Sequence, residues 1–97
     1  MLLNTENAKA FNASLKKLVS ELIGQKVKVE IINSYKFPDC WVRVYPETEF
    51  NNDFKLKVFE GCNYDKKGLL NPNNVSYGNI QSGYISAYVK DWINILN

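Results

Sequence analysis

The first part of the chain carries apolar residues at steps of three and four. Ala8, Phe11, Leu15, Leu18, Val19, Leu22 and Ile23 fall on one stripe, so the spacing predicts an amphipathic helix over residues 5–23. Asn4 or Thr5 can cap its start, and Gly24 stands where a left-handed C-terminal residue belongs. Lys9, Lys16, Lys17 and Glu21 occupy the polar side. The stripe is expected to pack on the protein's own sheet.

After Gly24 the period changes to two. In KVKVEII, Val27, Val29 and Ile31 alternate with Lys26, Lys28 and Glu30. In CWVRVYP, Cys40, Val42 and Val44 alternate with Trp41, Arg43 and Tyr45; in FKLKVFE, Phe54, Leu56 and Val58 alternate with Lys55, Lys57 and Phe59. Such alternation marks half-buried strands of an antiparallel sheet. The connections NSYKFPD and ETEFNND are short and rich in turn formers, which predicts consecutive hairpins. Residues 61–81 hold turn signals at Asp65-Lys66-Lys67-Gly68 and Asn71-Pro72-Asn73-Asn74, with a short fourth strand expected around Val75 to Tyr77. In SGYISAYVKDWINILN, Ile85, Tyr88, Val89, Trp92, Ile93 and Leu96 return to helical spacing, with Ser82 as a cap. The expected architecture is a single two-layer α+β domain over residues 1–97: an N-terminal helix, a three- to four-stranded antiparallel sheet and a C-terminal helix. Both helices would cover the face of Val27, Val29, Ile31, Val42, Val44, Phe54, Leu56 and Val58, leaving the other face open.

Composition narrows the function classes. A chain of 97 residues with 45% hydrophobic and 13% aromatic content can bury one modest core. The formal charge of +2 argues against a tail-like nucleic-acid binder while leaving room for a local basic patch. The opening MLLNTENAK does not read as a secretory leader, and no apolar run approaches a membrane span. The expectation is a cytoplasmic protein of a bacterial host, with no membrane association.

Catalytic machinery is not recognisable. Histidine does not occur, which removes the commonest general base, the commonest metal ligand and every Ser-His or Cys-His pair. Two cysteines without histidine cannot form a standard four-ligand zinc site. The scattered glycines include no phosphate-binding loop. Glu47, Glu49 and Asp53 form the one local acidic cluster and read as a solvated hairpin turn. No enzyme, cofactor or metal is expected. A hairpin symmetric about residue 50 would put Cys40 opposite Glu60 and near Cys62, so a disulfide is conceivable; free buried thiols are the expectation.

The open face is the candidate contact surface. The same symmetric hairpin places Trp41 across from Phe59, Arg43 from Lys57 and Tyr45 from Lys55. The first hairpin pairs Ile32 with Trp41, Glu30 with Arg43 and Lys28 with Tyr45. Lys26, Lys28, Arg43, Lys55 and Lys57 would then lie among Trp41, Tyr45, Phe59 and Ile32, with Glu30 the one opposing charge. Lysine stems covering aromatic surface give an ordinary solvated face. Cations interleaved with aromatics also suit single-stranded nucleic acid, and a surface rich in Trp, Tyr and Arg suits a protein interface.

The segment GNIQSGYISAYVKDW, with the helix-then-sheet start, resembles small domains of phages and mobile elements. In size, α+β pattern, Asn/Lys-rich composition and lack of a catalytic motif, the chain is similar to anti-CRISPR and other anti-defence inhibitors. The resemblance carries no functional residue over. It implies a class: a stoichiometric protein that binds and blocks a host nuclease or effector complex. Many such inhibitors that fill a nucleic-acid channel are acidic, and the slight positive charge here departs from DNA mimicry. Two functions are therefore expected, a non-enzymatic inhibitor that binds protein and, as the alternative, a small nucleic-acid-binding regulator using the basic-aromatic face. Oligomeric state is not legible.

Overall fold

A computed structural model describes residues 3–47, 58, 76–77 and 85–96. Helix α1, Ala8–Ile23, begins where Asn7 adopts an extended conformation and its Oδ1 accepts the Ala10 N–H at 2.8 Å. That bond satisfies one of the donors a helix start leaves open, so the cap is Asn7 rather than Asn4 or Thr5. Asn4 instead accepts the Glu6 N–H with its side chain and donates its own N–H to Ser14 Oγ. Gly24 ends the helix at φ 66°, in the left-handed region, and its N–H donates to the Ser20 carbonyl. Phe11, Leu15, Leu18 and Val19 are buried along the predicted stripe.

Strand β1, Val27–Ile32, and strand β2, Trp41–Pro46, form an antiparallel hairpin joined by a loop with one 3-10 turn, Ser34–Lys36. Its register is the expected one: Lys28 faces Tyr45, Glu30 faces Arg43 and Ile32 faces Trp41. The next neighbour of β2 is a correction. Residues Ile85–Tyr88, read from the sequence as the start of the closing helix, form a strand that pairs antiparallel with β2, Trp41 facing Tyr88 and Val44 facing Ile85. A two-residue strand, Ser76–Tyr77, pairs with the far side of Ile85–Tyr88. Numbered in chain order these are β3 (Ser76–Tyr77) and β4 (Ile85–Tyr88), in a four-stranded sheet of order β1-β2-β4-β3.

β2 is therefore flanked by β1 on one edge and β4 on the other. The expected strand FKLKVFE has no place beside it, and Val58 is helical and buried; the remaining residues of that segment lie outside those described. The physical reason is that β4 supplies a strand that buries its core side completely. Ile85 and Ala87 face the core with Val42 and Val44, where large and small side chains fit against the helices. The closing helix, α2, starts only at Val89 and runs to Leu96, with Asp91 in its first turn, where the helix dipole favours an acid.

Both helices pack on one sheet face, as expected of this α+β arrangement. The core joins Phe11, Leu15 and Val19 of α1 to Val27, Val42, Val44, Ile85 and Ala87 of the sheet and to Val89 and Trp92 of α2. Trp92 is fully buried and its indole N–H donates to the Val42 carbonyl at 3.4 Å. No helix among the described residues is long and apolar enough to cross a membrane.

Candidate functional site

The face turned away from α1 and α2 is built by the odd positions of β2 and the even positions of β1 and β4. Pairing sets these side chains in rows across the strands. One row is Ile32, Trp41 and Tyr88; the next is Glu30, Arg43 and Ser86, with Ser76 at the register position beyond; the third is Lys28 and Tyr45. Neighbours in a row stand about 4.5–5.5 Å apart at Cβ, close enough for direct contact.

The first row is aromatic. The Trp41 and Tyr88 rings lie 4.3 Å apart at their centroids and are tilted 37° in plane, a contact slightly closer than the about 4.5–7 Å usual for aromatic pairs. Tyr88 remains 38% exposed, and the Lys90 ammonium sits 5.7 Å from its ring centre. At an exposed site such a cation–ring contact contributes about 0.5–1 kcal/mol. In the second row Arg43 Nη1 lies 3.3 Å from Glu30 Oε1, with the side chains 37% and 49% exposed. The small Ser86, between its strand neighbours, is buried. Lys28 is exposed and Tyr45 half-buried in the third row.

The candidate surface thus changes membership. Trp41, Arg43, Tyr45 and Lys28 come together as expected, and exposed Lys26 precedes β1, its carbonyl accepting the Glu47 N–H. Lys55, Lys57 and Phe59 lie outside the described residues, and two of the pairings expected for them with β2 are overturned: Tyr88 stands where Phe59 was expected and Ser86 where Lys57 was expected. Tyr88 and Lys90 were missed. The alternation of Ile85, Ala87 and Val89 against Ser86 and Tyr88 carried the signal, but the same residues also fit a helical period.

These changes alter the electrostatics. Across the described strands Arg43 faces an acid, Glu30, and a serine, Ser86. The face reads as an aromatic stack beside a neutralised ion pair, bordered by Lys28 and Lys90.

Reactive groups elsewhere are sparse. Among the described residues no group of three or more His, Cys, Asp or Glu side chains could hold a metal. Cys40 is a free, buried thiol. Burial, and then the neighbouring Asp39 carboxylate, push its pKa up, which disfavours the nucleophilic thiolate. Just before β2, the Cys40 carbonyl accepts the N–H of Val89, the first residue of α2; this overturns the placement opposite Glu60 that made a disulfide with Cys62 conceivable. Cys62 lies outside the described residues. No family model, curated protein or solved structure matches the chain.

Proposed function

We propose that the chain is a non-enzymatic binding protein that docks onto a protein partner through the sheet face of Trp41, Arg43, Tyr45 and Tyr88. The observation that carries this reading is the Trp41–Tyr88 stack, 4.3 Å between centroids and partly exposed, next to an Arg43 already balanced by Glu30. Aromatic residues and arginine are the side chains that dominate protein interface energetics when their surroundings exclude water. A phosphate-binding face would more simply leave Arg43 free for phosphate, whereas here an anion must displace Glu30. The resemblance to phage and mobile-element inhibitors narrows the partner to a host nuclease or effector complex in the bacterial cytoplasm, which the chain would bind and block.

The test compares wild type with the double variant Arg43→Glu, Tyr88→Thr in affinity capture from a bacterial host lysate. Tyr88→Thr removes the contacts with the Trp41 ring and the Lys90 ammonium, and Arg43→Glu sets an acid opposite Glu30, so stability should fall by about 1–2 kcal/mol each, and circular dichroism checks that the variant is folded before capture. A host protein retained by wild type and lost from the variant, at low and at high salt alike, is the expected result. Retention of nucleic acid that vanishes steeply with salt would favour the alternative of a nucleic-acid-binding regulator. Equal retention by both proteins would refute the assignment of this face.

A further inference from the structure

A different surface, at the edge of the sheet, has the features of a peptide-binding site. β1 is a terminal strand in the order β1-β2-β4-β3. The Lys26 carbonyl accepts the Glu47 N–H from the β2 side, so the even residues of β1 direct their backbone groups toward β2. In an antiparallel strand the odd residues, Val27, Val29 and Ile31, then direct theirs outward. Two of those outward groups are satisfied by α1: the Val27 N–H donates to Ser20 Oγ at 3.4 Å, and the Val29 carbonyl accepts from Asn12 Nδ2 at 2.8 Å. The independent agreement of these two bonds with the expected parity fixes the direction of the edge. Toward the C-terminal end of β1, the Val29 N–H and both backbone groups of Ile31 point outward with no described strand beside them.

That end opens into a groove of about 630 Å³ between α1 and β1, lined by Ala8, Lys9, Asn12, Lys16, Ile31 and Ser34 among others. Its helix wall has small side chains at Ala8 and Ala13, leaving room for a backbone to approach. Lys9 and Lys16 are exposed, and among the described residues no acid lines the groove and neither lysine is in an ion pair.

We propose that this edge is a second docking site, which takes a short acidic peptide in extended conformation as an added strand outside β1. Backbone pairing to Val29 and Ile31 would supply register, the mode by which exposed sheet edges commonly capture peptides. Charge supplies the selectivity. Lys9 and Lys16 are two helical turns apart, about 10.5 Å along the axis. Acids on the same side of an extended chain recur every two residues, about 7 Å, or every four, about 13 Å. Flexible lysine stems span either spacing. A basic peptide would meet the two cations Lys9 and Lys16 and be rejected.

The probe is a labelled, N-acetylated short peptide alternating glutamate with valine, titrated into the full chain and followed by anisotropy and by amide chemical shifts. Saturable binding with shifts centred on Val29, Ile31, Lys9 and Lys16 is expected. Lys9→Glu with Lys16→Glu should weaken binding at least tenfold without changing the melting temperature appreciably. A peptide of the same sequence N-methylated at alternate residues, so that its pairing edge lacks donors, should lose binding to a similar extent. The proposal is overturned by any of four results: no shifts at millimolar peptide, equal binding of the N-methylated peptide, shifts centred instead on Trp41 and Tyr88, or concentration-dependent shifts at Val29 and Ile31 without peptide. The last would mean that a second copy of the chain occupies the edge.

Discussion

Replacing Trp92 with alanine tests the corrected position of the closing helix. The side chain is fully buried, lies in the same core as Phe11, Leu15, Val42 and Val44, and bonds through its indole N–H to the Val42 carbonyl at 3.4 Å. Truncating a buried Trp or Phe to alanine costs about 3–5 kcal/mol, the sum of lost transfer energy and the cavity left behind. The hydrogen bond is long and its acceptor belongs to a strand carbonyl directed toward β4, so its loss adds little beyond about 0.5–1 kcal/mol. A domain of this size holds only about 5–15 kcal/mol of stability in all, so the variant should be marginal or unfolded near body temperature. Trp92→Phe separates the two contributions, since it keeps most of the apolar volume while removing the donor; about 1–2 kcal/mol is expected. Urea unfolding followed by circular dichroism reads both values as midpoint shifts at constant slope. A loss below about 1 kcal/mol for Trp92→Ala would refute the placement of α2 against β2.

Two further outcomes probe local features. Asn7→Ala should destabilise by about 1 kcal/mol through loss of the bond to the Ala10 N–H, while Thr5→Ala should stay within about 0.5 kcal/mol; the reverse order in urea melts would return the cap to Thr5. Because burial, and then Asp39, raise the Cys40 pKa in the folded state, that thiol contributes stability in full below the unfolded value of about 8.5 and loses it as pH rises beyond. Wild type should therefore lose more melting temperature between mildly and strongly alkaline pH than Cys40→Ala, and parallel losses would contradict the shift.

What could be read from the residues follows the strength of their periodicity. α1 and the β1–β2 hairpin were legible because each repeats one period over many residues, and because slipping the hairpin by one place would turn Val27, Val29, Val42 and Val44 away from the core. The residues Ile85 to Trp92 were not, because two periods coexist there. Ile85, Tyr88, Val89 and Trp92 fit a helix, while Ile85, Ala87 and Val89 fit a strand, and over so short a window periodicity does not arbitrate. The deciding fact is tertiary: β2 offers a second edge, and β4 fills it with side chains sized for the core. Adjacent placement of consecutive strands, the ordinary tendency, favoured FKLKVFE for that edge. Yet Phe54 and Val58 are also four apart, as one helix face requires, and Val58 is indeed helical. On the candidate face, Trp41, Arg43, Tyr45 and Lys28 followed from the hairpin alone, whereas Tyr88 depended on the strand that periodicity concealed.

β1 borders both proposed surfaces while keeping them physically distinct. Its even side chains, Lys28 and Glu30, belong to the sheet face, and Glu30 holds Arg43 at 3.3 Å. Its odd residues place their side chains toward the core and their backbone groups at the edge. A ligand on the face engages side chains perpendicular to the sheet; a peptide at the edge engages the backbone in its plane. Alternation with period two makes these directions independent, so substitutions at Arg43 and Tyr88 should leave edge binding intact and those at Lys9 and Lys16 should leave the face intact. Among the described residues, the direct route between them runs through β1, by way of the Glu30 backbone that separates Val29 from Ile31. An added strand would hold that backbone more rigidly, and with it the carboxylate that keeps Arg43 in place beside the aromatic stack. Occupancy of the edge would then order the face rather than compete with it.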